Sequence, residues 1–287
     1  MSSATTERRP VLAVPPGACD CHIHVFGPRN RFPLADDLAY MPSDAPVKAY
    51  LAVRHRLGIE RTVVIQPSAY GTDNRCTLDA IAQLASTARG IAVVDPSISD
   101  RELEQLDKAG IRGLRFSLVV KNALRLEFLE VMAQRIRQFG WHIQFRSTHR
   151  DLPDLEIRLS RLPVDVCLDH LGSIPPEESI THPSWQTIFR LLDRGRCWIK
   201  LSAPYQLSRM PGPGYADFAS QVSALVKAAP DRLIWGTNWP HPSVSAKPDD
   251  ADLLDSLGEW IHDASIRRAI LVDNPSALYG FPSVNLT

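Results

Sequence analysis

Short apolar, β-branched runs recur eight times along this 287-residue chain, at 18–25, 62–66, 91–94, 113–116, 142–145, 166–169, 198–201 and 233–236, with helix-like stretches between them. Strands separated by helices pair in parallel, because a parallel pair needs a crossover connection and an antiparallel pair does not. The intervening segments carry their own helix signals. Ser99 lies three positions before Glu102, Leu103 and Leu106 follow at helical spacing, and Gly110 ends the segment; Leu78, Ile81 and Leu84 form a second stripe. Eight such units fit an α/β fold closed as a (β/α)₈ TIM-like barrel. An open doubly wound sheet fits less well, since no glycine-rich dinucleotide loop follows the first run. Barrels of about 250 residues form one domain, so residues 17–287 read as a single barrel domain. Residues 1–16, polar and containing proline, read as a flexible N-terminal tail.

Charge narrows the partners. Lys plus Arg and Asp plus Glu both number 32, a formal net charge of zero, so no basic field exists to hold a phosphate backbone or an anionic lipid surface. Nucleic acid and membrane are therefore not expected partners, and no apolar run approaches the ~18 residues of a membrane span. The five cysteines are scattered and odd in number, and the first residues lack the apolar core of a signal peptide. Both features point to a reducing cytoplasm.

Barrel active sites lie at the C-terminal ends of the strands, and the longest connections, 26–50, 171–184, 203–216 and 240–249, all follow strand ends. Alternation along the first run puts Asp20, His22 and His24 on one face and Cys19, Cys21 and Ile23 on the other, the apolar set being expected against the helices. Two histidines spaced so can present imidazoles to one metal ion or one substrate oxygen. The same parity gathers Gln66 and Ser68, Arg115, then His142, Gln144 and Arg146, then His170 with Val166 and Leu168, and finally Ile234, Gly236 and Asn238. Asp169 falls on the face opposite His170. Two guanidiniums at the mouth suit an anionic group, which they grip bidentately; ion pairing with Asp95 or Asp169 is the structural alternative. Lys200 reads equally as a catalytic group or as a lysine salt-bridged across the barrel.

The blocks D-C-H-I-H-V-F-G (20–27), I-Q-P-S-A-Y-G-T-D-N (65–74), G-I-A-V-V-D-P (90–96), G-L-R-F (113–116), L-D-H-L-G (168–172) and W-G-T-N-W-P-H-P (235–242) resemble the 2-pyrone-4,6-dicarboxylate lactonase-like branch of the amidohydrolase superfamily, over about residues 17–280. The resemblance implies a distorted (β/α)₈ barrel that attacks the carbonyl of a cyclic ester. His22, His24 and His170 match the positions that polarise the carbonyl oxygen. Where the lactonase has a water-activating aspartate, this chain has Asn238, and an amide is no general base near neutral pH. Three explanations stay open: another base such as His241 is recruited, the nucleophile is a hydroxyl of the substrate itself as in the similar galactarolactone isomerase, or the asparagine is an engineered trap. Intramolecular attack would offset a missing base through effective molarities of about 10⁵–10⁸ M.

Tyr40, Ser68 and Arg115 match the lactonase's carboxylate-binding positions, whereas Lys121, Arg146 and Gln206 stand where an arginine, a tyrosine and an arginine are expected. The implied partner is a small carboxylated lactone, more hydroxylated than a planar pyrone. Hydrolysis is the leading expectation, with lactone isomerisation, decarboxylation or a catalytically dead sugar-acid-binding barrel as alternatives. The superfamily usually binds a divalent metal through its His-x-His pair, but this branch resembles enzymes that work without one, so no cofactor is expected. The alternative is a single zinc at His22, His24 and His170.

Overall fold

The computed structural model describes residues 8–36, 38, 40–120, 122–210 and 212–282. Eight parallel strands follow one another around a barrel: β1 (Cys19–Ile23), β2 (Arg61–Ile65), β3 (Ala88–Ala92), β4 (Ile111–Ser117), β5 (His142–Arg146), β6 (Val166–Leu168), β7 (Cys197–Ser202) and β8 (Leu233–Gly236). The helices that cross between them are α1 (Val47–Leu57), α2 (Arg75–Leu84), α3 (Asp100–Lys108), α4 (Leu129–Ile136), α5 (Leu152–Ser160), α6 (Pro183–Asp193) and α7 (Ala219–Ala228), and α8 (Asp250–Trp260) follows β8. The expected capping box opens α3, with Ser99 Oγ accepting from Glu102 N and the Glu102 carboxylate accepting from Ser99 N. No helix among the described residues is long and apolar enough to cross a membrane.

Side-chain parity in β1 differs from simple alternation. Asp20 pairs with Thr62 and Ile23 with Val64, so β1 spends three residues where β2 spends two. This is a bulge, and it reverses the face of what precedes it. Cys19 and Cys21 pack with Val63, Ile65, Ile91, Cys167 and Ile234 in the barrel interior, floored by Leu278, Tyr279 and Phe281. Asp20 faces outward, where Tyr50 of α1 reaches both its carboxylate and Thr62 Oγ1, each at 3.2 Å. The expectation that Cys19 and Cys21 meet the helices, with Asp20 on the face of the histidines, is therefore corrected by the bulge. His22 and His24 turn inward as expected.

Asp20 closes the barrel. Its Oδ1 accepts from Thr237 N at 2.9 Å and His22 N at 3.1 Å, and its Oδ2 accepts from Thr237 Oγ1 at 2.7 Å. Beside it, Asn238 N donates to His22 O and His24 N to Trp239 O, both at 2.8 Å, joining β1 to the segment after β8. The backbones approach so closely that a Cβ on Gly236 would lie 2.7 Å from His22 N, which leaves glycine as the fitting residue. Residues 1–7 of the expected tail lie outside the described residues. The tail's next residues are held on α8, where Val11 N and Leu12 N each donate to Asp255 Oδ1 at 2.8 Å and Arg8 pairs with Asp252 and Asp255.

Burial pushes the Asp20 carboxyl from its ordinary 3.8 up to about 6, against the hydrogen bonds from Thr237 and His22 that favour its charge. The native state then holds a proton that the unfolded chain has released, so this group's contribution to stability falls as pH rises from about 4 to about 6. Urea denaturation at pH 4 and pH 7 checks this: the difference between the two pH values shrinks in Asp20→Asn relative to the parent.

Candidate active site

At the strand ends the inward side chains form one buried polar network. His22 Nε2 and His24 Nε2 lie 3.3 Å apart, and His24 Nδ1 meets the Ile65 carbonyl at 2.8 Å. A carbonyl only accepts, so His24 carries its proton on Nδ1 and His22 donates from Nε2. That leaves His22 Nδ1 to accept from Lys200 Nζ at 3.3 Å. Burial, then the Lys200 charge, holds the His22 imidazole well below its usual range, and burial with Arg115 pushes His24 down to about 3. Both rings are neutral at ordinary pH.

One carboxylate organises the floor of this mouth. Asp169 lies 3.3 Å from Lys200 Nζ, 3.4 Å from His22 Nδ1 and 3.6 Å from an Arg115 terminal nitrogen, and it accepts from Gln144 Nε2 at 3.0 Å. Gln144 Oε1 in turn accepts from Lys200 at 2.9 Å. Burial works to raise the Asp169 carboxyl, yet the Lys200 charge outweighs it and holds it well below the carboxylate range. The assignment of Asp169 to the outer face is thus corrected. Cys167 lies in the barrel interior and Asp169 follows it at strand spacing, while Leu168 packs outward. Lys200 is the salt-bridged lysine of the two readings. His170 reaches the mouth by a different route, in a left-handed turn with φ of 52° directly after Asp169.

His170 Nδ1 pairs with Ser202 Oγ at 2.7 Å, and its Nε2 is buried without a partner. Burial, with Arg146 and Arg115 nearby, keeps its ring well below the usual imidazole range despite Asp169. Arg115, on β4, donates to the Gln66 carbonyl at 3.2 Å; Arg146, at the end of β5, donates to Gln206 Oε1 at 3.2 Å. The Nε of each guanidinium is buried and unpaired. Tyr40 and Ser68 hydrogen-bond to each other within the field of both arginines. A cavity of about 520 Å³ opens over Arg146, His170 and Gln206. A larger one, about 1040 Å³, lies to the side between the loops that follow β1 to β4 and touches none of the three imidazoles. The smaller cavity is the one at the chemistry.

Asn238 stands at the β1–β8 seam with φ of 65°. Its Nδ2 donates to Tyr205 Oη at 2.8 Å. His241 is buried, with Nδ1 2.9 Å from Tyr205 Oη and Nε2 3.0 Å from Asp250 Oδ1, so both its nitrogens are engaged within the protein. Lys121 lies outside the described residues. Ser202, Tyr205 and Asp250 join the site beyond the residues expected from sequence. Ser202 is at strand spacing from Lys200, a usable signal; Tyr205 and Asp250 carry none, because loops after different strands bring them to His241.

For a metal, a carboxylate oxygen of Asp169 and ring nitrogens of His22 and His170 lie within 4.8 Å of one another. The His22 and His24 Nε2 separation also suits two ligands about 2.0–2.1 Å from one tetrahedral ion.

Residues 19–281 match the amidohydrolase family. The chain belongs to that family. Among relatives of this amidohydrolase, the 2-pyrone-4,6-dicarboxylate hydrolase of Comamonas testosteroni is 37% identical over 284 residues, covering 94% of this chain and 92% of the relative. The D-galactarolactone isomerase of Agrobacterium fabrum is 31% identical over 283 residues, covering 97% and 96%. A crystal structure of a probable 2-pyrone-4,6-dicarboxylic acid hydrolase from Acinetobacter baumannii, with citric acid bound, superimposes with a TM-score of 0.82 at 28% identity, covering 92% of this chain and all of that one.

The buried Lys200–Asp169 pair predicts its own energetics. Removing one member of such a pair strands the other and costs about 3–5 kcal/mol. Lys200→Met should lower the unfolding free energy by about that amount in urea titration, and adding Asp169→Leu should recover part of it.

Proposed function

We propose that this amidohydrolase is a lactonase that opens a carboxylated, sugar-acid-like lactone. The observation that carries the proposal is the set of three buried, unpaired nitrogens at one mouth: His170 Nε2, Arg115 Nε and Arg146 Nε. Buried polar groups without partners are costly, and an anionic ester supplies partners for all three when Ser202 Oγ donates to His170 Nδ1 and the ring carries its proton on Nε2. The carboxylate takes the guanidiniums, with Tyr40, Ser68 and Gln206 beside it, while the carbonyl oxygen takes His170 Nε2–H and the His22 Nε2–H that otherwise points to His24. A donor placed for charge that develops on that oxygen is worth about 10²–10³ in rate. Two relatives named for lactone substrates, and a neighbour that holds a tricarboxylic acid, favour the same class. Lys121 is proposed to join the anion grip.

Isomerisation is the second reading, and Asn238 favours it: the side chain that replaces an aspartate cannot remove a proton from water. On this reading a substrate hydroxyl attacks the carbonyl and the lactone migrates to a new ring size.

We propose that the reaction runs without a metal. The three imidazoles suit zinc as donors, and an ion held by His22, His24 and His170 would polarise the carbonyl. Charge opposes it: Lys200, Arg115 and Arg146 surround one carboxylate, Asp169, already committed to two of them. Such a field repels a dication and attracts an anion.

Turnover of D-galactarolactone and 2-pyrone-4,6-dicarboxylate in oxygen-18 water tests the proposal. Hydrolysis places the label in an acyclic acid. A product formed without label would replace the lactonase reading with the isomerase.

A further inference from the structure

The chain Asp250–His241–Tyr205 ends beside Asn238, and its hydrogen bonds run in one direction. Asp250 is a carboxylate 3.7 Å from Arg56 and accepts, so His241 donates from Nε2. His241 Nδ1 then accepts, and the only proton available at 2.9 Å is the phenolic one of Tyr205. Tyr205 Oη keeps its lone pairs for the mouth side, where Asn238 Nδ2 donates to one of them at 2.8 Å. The order carboxylate, imidazole, hydroxyl is that of a serine-hydrolase triad, with a tyrosine in the serine's place. Asn238 cannot use this chain to change its own charge. Its amide nitrogen is engaged by Tyr205, which leaves the amide oxygen as an acceptor.

We infer that Tyr205 is the proton acceptor of the reaction, with His241 and Asp250 as positioning residues behind it. Together they replace the base that Asn238 does not supply. The inference rests on the lactone reading of the site. As the nucleophile's oxygen bonds to the carbonyl carbon, its proton passes to Tyr205 Oη and the phenolic proton passes to His241 Nδ1. Asp250, 3.0 Å from His241 Nε2, stabilises the imidazolium. When the ring C–O bond breaks, the two transfers run backwards and protonate the departing oxygen. Protons balance without exchange with solvent, for a water nucleophile and for a substrate hydroxyl alike. Burial raises the Tyr205 phenol above its ordinary range, so it passes a proton on without resting as phenolate. Tyr205 also adjoins Gln206, whose side chain holds Arg146. The relay and the anion grip thus share one turn after β7.

The test measures kcat and KM for Tyr205→Phe and His241→Gln on D-galactarolactone and 2-pyrone-4,6-dicarboxylate, using whichever the parent turns over, with thermal melting of each variant. The relay predicts a kcat loss of about 10²–10⁴-fold in Tyr205→Phe and at least about tenfold in His241→Gln, with KM within about threefold of the parent. In mixtures of light and heavy water the parent's kcat follows a curved dependence on deuterium fraction, since two protons move, and Tyr205→Phe removes the curvature. A merely structural Tyr205 would leave that dependence unchanged. An active parent whose folded Tyr205→Phe variant keeps kcat within about threefold overturns the relay alone. A parent without turnover on either lactone overturns the lactone reading and the relay with it.

Discussion

Among the described residues, Asp169 is the carboxylate that Lys200, Arg115 and Arg146 surround at the mouth of this barrel, and the rest of the site is arranged around it. It lies 3.3 Å from Lys200 and 3.6 Å from Arg115, and Gln144 bonds to it and to Lys200 at once. Lys200 in turn donates to His22 Nδ1, in the tautomer that the Ile65 carbonyl sets through His24. A buried ion pair is a weak source of stability. Here it sets orientation and sign: the imidazoles stay neutral, and the uncompensated charge above them is positive. On the proposed reading it is an anionic ester that meets this charge.

The β1–β8 seam supplies the second constraint. The bulge in β1 turns Asp20 outward to bind Thr237 while turning His22 inward, so the residue that closes the barrel and the residue that enters the mouth are two positions apart. The same closure places Asn238 N on His22 O. Left-handed backbone at His170, Asn238 and His241 is concentrated where the mouth is built. Unfavourable backbone of this kind persists where surrounding contacts determine it.

Much of this was legible in the sequence, and the misses share a cause. Eight strands are readable because apolar runs and helix caps repeat, and His22, His24, Arg115 and Arg146 because parity holds along their strand ends. Parity fails at Asp20, Cys19 and Cys21, since one inserted residue reverses a face without any change in composition. It fails at Asp169 because Cys167, a small apolar residue, reads equally well on either face. His170 reaches the mouth although its parity partners Val166 and Leu168 face outward, because the chain leaves strand geometry at that residue. Tyr205 and Asp250 meet His241 through loops after different strands, and no local pattern joins them.

The proposed reaction is carbonyl chemistry on an anionic lactone by a cationic mouth of neutral imidazoles, without a metal. Metal content and lactone turnover of protein purified without chelator address it most directly. A metal-free reaction predicts well below one metal ion per chain and activity that survives chelation. Near-stoichiometric zinc, with activity lost on its removal and restored on its return, would contradict it.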